Sequence, residues 1–347
     1  TEYRAVTSTS VLSQTSIQLA ALGRIGPEPG NTGRILPAAA MDPAADLQRR
    51  DNRFTEEIDR TVEMDKDGRF EIENLSGDIT VTTWNRSEAR IKATKIARAS
   101  DEDEAADALE QVRVEIDDRS GDVYVNTDYP DNRGRRWGDD NLQVSVIYEI
   151  TIPAESYLRA KSVSGNLEVS DVMGEVDVRS VSGTVLLADI NARTRGSSVS
   201  GNVEAKNLNG ESDLQSVSGN VTATSTTGDM EASSTSGRVE LRDVTAERLY
   251  AKSVSGTIRF EGPIKRDGRY EIDSMSGGIR MTIPEESAFD LRANTFSGSI
   301  NSDLPITIRG TTSSRQGRNK RLDGSVNGGG ASVELSTVSG SIDIRTR

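Results

Sequence analysis

Five carboxylates stand close together in one stretch of this 347-residue chain: Asp122, Asp128, Asp131, Asp139 and Asp140, with Tyr129 and Trp137 among them. Paired carboxyl groups can act as acid and base on a glycosidic bond, and an aromatic pair can stack on a sugar ring. The plainer reading is an acidic surface loop, with "YPDNRGRRWGDDN" at 129–141. A second group is basic: Arg309, Arg315, Arg318, Lys320 and Arg321, within a stretch containing "RGTTSSRQGRNKRLDG". On an acidic protein it could contact an anionic polymer or lipid surface, or it could be a solvated loop. A third set is a row of hydroxyls, Ser164, Ser182, Ser200 and Ser218, spaced 18 residues apart. Such a row could offer repeated polar contacts, or bond only within its own turns.

Much other chemistry is excluded. The chain has no Cys and no His. It therefore has no disulfide framework, no thiolate nucleophile, no zinc-thiolate site and no Ser-His-Asp triad. No residue is singled out as catalytic, cofactor-binding or metal-ligating, and no cofactor is expected. The net charge of -13 argues against nucleic acid as a partner. No run approaches the 18 apolar residues of a membrane span.

The elements that would position these groups are mostly strands. Residues 1–50 show no sustained period and read as a flexible N-terminal extension. Within them "VLSQTSIQLAALG" is too polar for a signal-peptide core, and "LPAAAMDPAADLQ" reads as a linker. Residues 51–153 read as a β-rich part. "GRFEIENLSGDITVTTW" and "ARIKATKIA" alternate with period two. Ser100 and the acids Asp101, Glu102 and Asp103 suit a helix start, so a helix is expected at about 101–111. Strands follow at 112–117, 119–127 and 142–153.

From Lys161 a repeat takes over. Ser-Gly glycines fall at 165, 183, 201, 219 and 237, each 18 residues after the last, then at 256, 277, 298 and 340. Fainter half-repeats at Gly174, Gly210 and Gly228 make the unit about nine residues. Counting from each glycine, position -2 is mostly Val, as in Val163, Val181, Val199 and Val217, and positions +2 and +4 are mostly apolar. Residues two apart share a strand face, so these three positions are expected to share one buried face. A single unit buries too little to offset its chain entropy, whereas stacked units bury one another. The expected fold is all-β, a parallel β-solenoid of 18–21-residue coils with one short N-terminal helix. Its repeat part spans 154–347 with a loop insertion at 305–325, and its length is on the order of 45 Å. A calcium-binding roll would need Asp after its glycines. Asn166, Thr184, Asn202, Asn220 and Arg238 stand there instead.

Three stretches carry a family resemblance. They are "FTEEIDRTVEMDKDGRFEIENLSGDITVTTWNRSEARIKATK", the "SVSG-x-V" series and "GSVNGGGASVELSTVSGSIDIRTR". From about residue 54 to 347 the chain resembles the putative-adhesin family of bacterial envelope proteins, β-solenoids mostly of unknown function. The resemblance implies an exported protein, periplasmic or at the cell surface, and offers no catalytic motif.

The leading functional expectation is a non-enzymatic envelope or extracellular scaffold, adhesin-like, with a surface glycan or envelope component as partner. A second is a self-assembling protein that pairs through its solenoid ends, because the last strand, "GSIDIRTR", shows no cap. A carbohydrate-active solenoid enzyme is the third.

Overall fold

The computed structural model describes residues 53–99, 102–129, 143–308 and 320–347. The expected extension at 1–50, most of the 129–141 loop with Asp131, Trp137, Asp139 and Asp140, and the basic residues Arg309, Arg315 and Arg318 lie outside them. The chain opens with β1 (Arg53–Glu63), β2 (Arg69–Ser76), β3 (Ile79–Trp84) and β4 (Glu88–Arg98). Helix α1 (Glu102–Gln111), β5 (Arg113–Arg119), β6 (Asp122–Asp128) and β7 (Gln143–Pro153) follow. From β8 (Tyr157–Ser164) and β9 (Leu167–Ser170) the repeat runs two strands to a coil. It continues through β10 (Val176–Ser182) and β11 (Val185–Ile190) and eight more strands to β20 (Arg269–Ser274) and β21 (Ile279–Ile283). The remaining strands are β22 (Phe289–Thr295), β23 (Ile300–Ser302), β24 (Thr307–Ile308), β25 (Lys320–Val326), β26 (Ala331–Thr337) and β27 (Ile342–Thr346).

These strands form two sheets, of 13 and 14 strands, so the solenoid is two-sided. Within each coil the strand before the Ser-Gly glycine lies in the leading sheet, and the strand after it lies in the trailing sheet. Coils stack in parallel with a register of 18: Val176 faces Thr194, Val185 faces Val203, and Val221 faces Val239. Buried ladders run up the inside of the trailing sheet, among them Leu167, Val185, Val203, Val221, Val239, Ile258 and Ile279. Burying each such side chain contributes about 1.5–3 kcal/mol, which no isolated coil could collect.

One expectation about the core is corrected. Positions +2 and +4 are buried, but position -2 is not: Val163, Val181, Val199 and Val217 are 44–47% exposed. The buried neighbour is position -3, occupied by Ser162, Ser180, Ser198, Ser216, Ser234, Ser253 and Ser274. The period-two argument assumed one unbroken strand through the glycine. The glycine instead sits at the corner where the chain crosses from one sheet to the other. The inward positions on its two sides are therefore -3 and +2, five apart, and parity is not carried across.

Antiparallel pieces extend both sheets at the N-terminal end and the leading sheet at the C-terminal end, where the trailing sheet finishes on the parallel strand β23. At the N-terminal end β1 pairs β4 and β4 pairs β7, while β5 folds back on β6. Helix α1 lies where expected, with Ser100 and Asp101 of the expected start outside the described residues, and buries Ala105, Ala108 and Leu109. Lys95 ties it to the sheet, donating to the Leu109 carbonyl at 3.1 Å and to Glu56 at 3.1 Å. At the C-terminal end the coils leave sequence order. Strands β26 and β27 insert between the coil of β20 and β21 and that of β22 and β23. The last strand is thus an interior one, and the expectation of an uncapped end built from it is withdrawn. The described part of the expected loop at 305–325 carries strands: β25 pairs antiparallel along β22, and β24 pairs β25, extending the leading sheet beyond the coils.

Candidate functional site

The repeated Ser-x-Ser-Gly is a corner device. The inner Ser reaches in two directions. Ser216 donates to the Gly201 carbonyl of the preceding coil at 2.8 Å and accepts from Gly219 N–H at 2.9 Å. Ser234 does the same with Gly219 and Gly237. In Ser198, Ser216, Ser234, Ser253 and Ser274 the hydroxyl thereby serves a backbone acceptor and a backbone donor at the buried turn, whereas Ser180 reaches only the Gly165 carbonyl and the buried Ser162 hydroxyl bonds neither. Glycine follows because the coils stack tightly here. A Cβ on Gly219 would run into the Gly201 carbonyl, and one on Gly201 into that of Gly183. Outside the corner Asn202 and Asn220 continue the same work. The Asn202 side-chain oxygen accepts from Asn220 N–H at 2.9 Å, and that of Asn220 accepts from Arg238 N–H at 2.9 Å. The asparagines where a calcium roll would carry Asp are therefore ladder residues.

Between the inner and outer Ser lies the exposed residue. Read in stacking order, position -2 runs Leu75, Val163, Val181, Val199, Val217, Thr235, Val254, Met275, Val338 and Phe296. Its exposed apolar members range from 44% for Val163 to 55% for Met275. Backbone bonds link one rung to the next: Ser200 N–H to the Val181 carbonyl, Ser218 to Val199, Ser276 to Val254 and Ser297 to Val338, each at 2.9 Å. The column is therefore continuous over some 45 Å. Beside it stand the outer serines Ser164, Ser182, Ser200 and Ser218, all exposed as expected.

The broad sheet faces differ. Part of their charge is held in ion pairs: Lys161 with Glu73 at 2.5 Å, Arg179 with Asp177 at 2.9 Å, Arg193 with Glu211 at 3.1 Å and Arg242 with Glu240 at 2.7 Å. Along the central coils the corner carries no charge between Val181 and Val217; Ser, Asn and Thr flank the valines.

At its N-terminal end the column meets a cleft of about 700 Å³, lined in part by Leu75, Ile96, Tyr129, Val144 and Ile147. Leu75 also lines a shallower groove of about 490 Å³ that runs beside Val163, Val181 and Val199. Tyr129 donates to the Ser76 carbonyl at 3.1 Å, and burial pushes its hydroxyl up to about 12.

Of the expected carboxylate cluster, Asp122 and Asp128 are described. They sit at opposite ends of β6, roughly 20 Å apart. Asp122 accepts from Arg69 N–H at 2.8 Å. The two make no acid–base pair. Among the described residues no group of three or more acidic side chains could hold a metal ion. Of the basic group, Lys320 and Arg321 lie on β25, where Arg321 pairs with Asp323 at 2.6 Å.

A family model described as Toastrack DUF4097 matches residues 69–345. No curated protein matches. Three solved structures are similar. A putative lipid binding protein from Parabacteroides distasonis ATCC 8503 is 13% identical, with 83% of this chain and 96% of that one covered and a TM-score of 0.43. A putative adhesin from Bacteroides fragilis NCTC 9343 is 13% identical, covering 83% and 97%, with a TM-score of 0.36. A putative cell adhesion protein from Clostridium sporogenes ATCC 15579 is 11% identical, covering 85% and 100%, with a TM-score of 0.26.

Proposed function

The chain belongs to the Toastrack DUF4097 family, and on that footing we propose that it is a non-enzymatic, adhesin-like binding rod of the bacterial envelope or extracellular space, with the corner column as its contact face. The observation that carries this is the column itself. Nine of its ten rungs are apolar, and most of these stand about half exposed at a corner flanked by charged sheet faces. A contiguous exposed apolar stripe rimmed by polar residues is the usual form of an interaction surface. The polar rims of Ser, Thr and Asn match the anatomy of a binding face with an apolar centre. In this reading an exported location and an envelope component or surface glycan as partner go together.

The test is binding of the purified full chain to isolated bacterial envelope fragments. The triple variant Val181→Ser, Val199→Ser and Val217→Ser should lose at least about tenfold in affinity with an unchanged thermal midpoint. Equal binding by the variant and the parent would overturn the assignment of the column.

A further inference from the structure

The N-terminal cleft brings two arginines together beside an apolar wall. Arg53 and Arg98 are direct cross-strand partners in β1 and β4, and both line the cleft. Directly opposed side chains sit about 5 Å apart, and like charges in that position repel. Elsewhere on these two strands Arg90 pairs with Asp59, Lys92 with Glu149 and Lys95 with Glu56, while Arg60 has no carboxylate partner among the described residues. Neither Arg53 nor Arg98 has a carboxylate partner among the described residues, in a chain with 55 acidic against 42 basic residues. Asp78 also lines the cleft, but its carboxylate is engaged by the Asn166 N–H at 2.7 Å. Behind the arginines the walls are Leu75, Ile96, Tyr129 and Ile147.

We propose that this cleft binds a single-chain anionic lipid, its head held by Arg53 and Arg98 and its acyl chain laid from the cleft along the corner column. The inference rests on the reading of the column as a contact face and names what it contacts. Paired guanidinium groups match a carboxylate head in geometry and charge. The volume of about 700 Å³ suits a small amphiphile. The tail is alkyl and not peptide for a specific reason. Along the column the backbone donors and acceptors are already spent between coils, as in Val199 N–H to Ser180 at 3.2 Å and Val217 N–H to Ser198 at 3.1 Å. A peptide laid there would leave its own backbone groups without partners, whereas an alkyl chain has none to satisfy.

The test is calorimetric titration of the full chain with dodecanoate below its micelle concentration. Dodecyltrimethylammonium serves as a probe with the same tail and opposite charge, and acetate as a head without a tail. Saturable binding of one dodecanoate per chain is expected. Arg53→Gln with Arg98→Gln should weaken it at least about tenfold, dodecyltrimethylammonium should bind at least about tenfold more weakly, and acetate should not bind. Both arginines are exposed, and removing them relieves a like-charge contact, so the variant should keep its thermal midpoint or raise it. No saturable binding, equal binding of the two amphiphiles, or an unchanged affinity in the arginine variant would each overturn the proposal. If dodecanoate fails while the Val→Ser variant still loses envelope binding, only the lipid assignment falls. If the Val→Ser variant binds envelope as the parent does, the contact-face reading falls first.

Discussion

At the level of single residues, two serines one residue apart have opposite duties. Ser216 is buried and serves two backbone groups, while Ser218 is exposed at the rim. Ser216→Ala leaves a buried carbonyl and amide short of a partner and should cost about 1–3 kcal/mol in urea denaturation. Ser218→Ala should stay within about 0.5 kcal/mol. Tyr129 supplies a pH signature. An unfolded tyrosine ionises near 10, and burial raises the folded group to about 12. Its contribution to stability is complete below pH ~10 and is lost as pH rises toward about 12. Tyr129→Phe should make the fall in urea midpoint across that window shallower; Tyr148 and Tyr270, also raised by burial, contribute to the part that remains. An identical pH slope in the variant would contradict this. In the sequence the inner Ser was legible only as part of a motif. What distinguishes it is that position -3 stays Ser in seven successive copies, from Ser162 to Ser274, and Thr in the two outermost coils, as Thr337 and Thr295, while -2 drifts from Val to Met and Phe. Asn74 fills the same place in the first coil, where its side-chain amide donates to the Gly77 and Val146 carbonyls at 3.3 and 2.8 Å, so the position keeps a polar group that can reach the backbone of the turn.

At the level of elements, the strands, their spacing and the helix could all be read from alternation and from the acidic run before Ala105, because those signals are local. The coil order could not. Nothing in "GSVNGGGASVELSTVSGSIDIRTR" tells that β26 and β27 lie inside the outermost coil, since that depends on how far the β24–β25 excursion reaches. The consequence is testable. A chain stopped after Gly330 loses an interior coil, leaving β20 and β22 without the strand both pair with. Thermal unfolding followed by circular dichroism should lose its single cooperative transition, and β22 to β25 should become open to limited proteolysis. Were these strands an outer layer, truncation would subtract only one nearest-neighbour contribution and leave the rest cooperative.

At the level of the whole molecule, the rod separates holding from meeting. Its inside is a set of apolar and hydroxyl ladders, its broad faces carry the charge, part of it in ion pairs, and its central corner shows an uncharged apolar line. The architecture was legible from the 18-residue register alone. The position -2 column, expected in the core, is exposed, because a strand rule does not carry through a corner. The most direct test of the account is to change the two neighbours Ser216 and Val217 separately in one coil, and measure both the thermal midpoint and envelope binding of each variant. The account predicts a crossed result: Ser216→Ala lowers the midpoint and leaves binding intact, while Val217→Ser weakens binding and leaves the midpoint where it was. A Val217→Ser protein that is less stable yet binds as well as the parent would contradict it, and would return the valine column to the core.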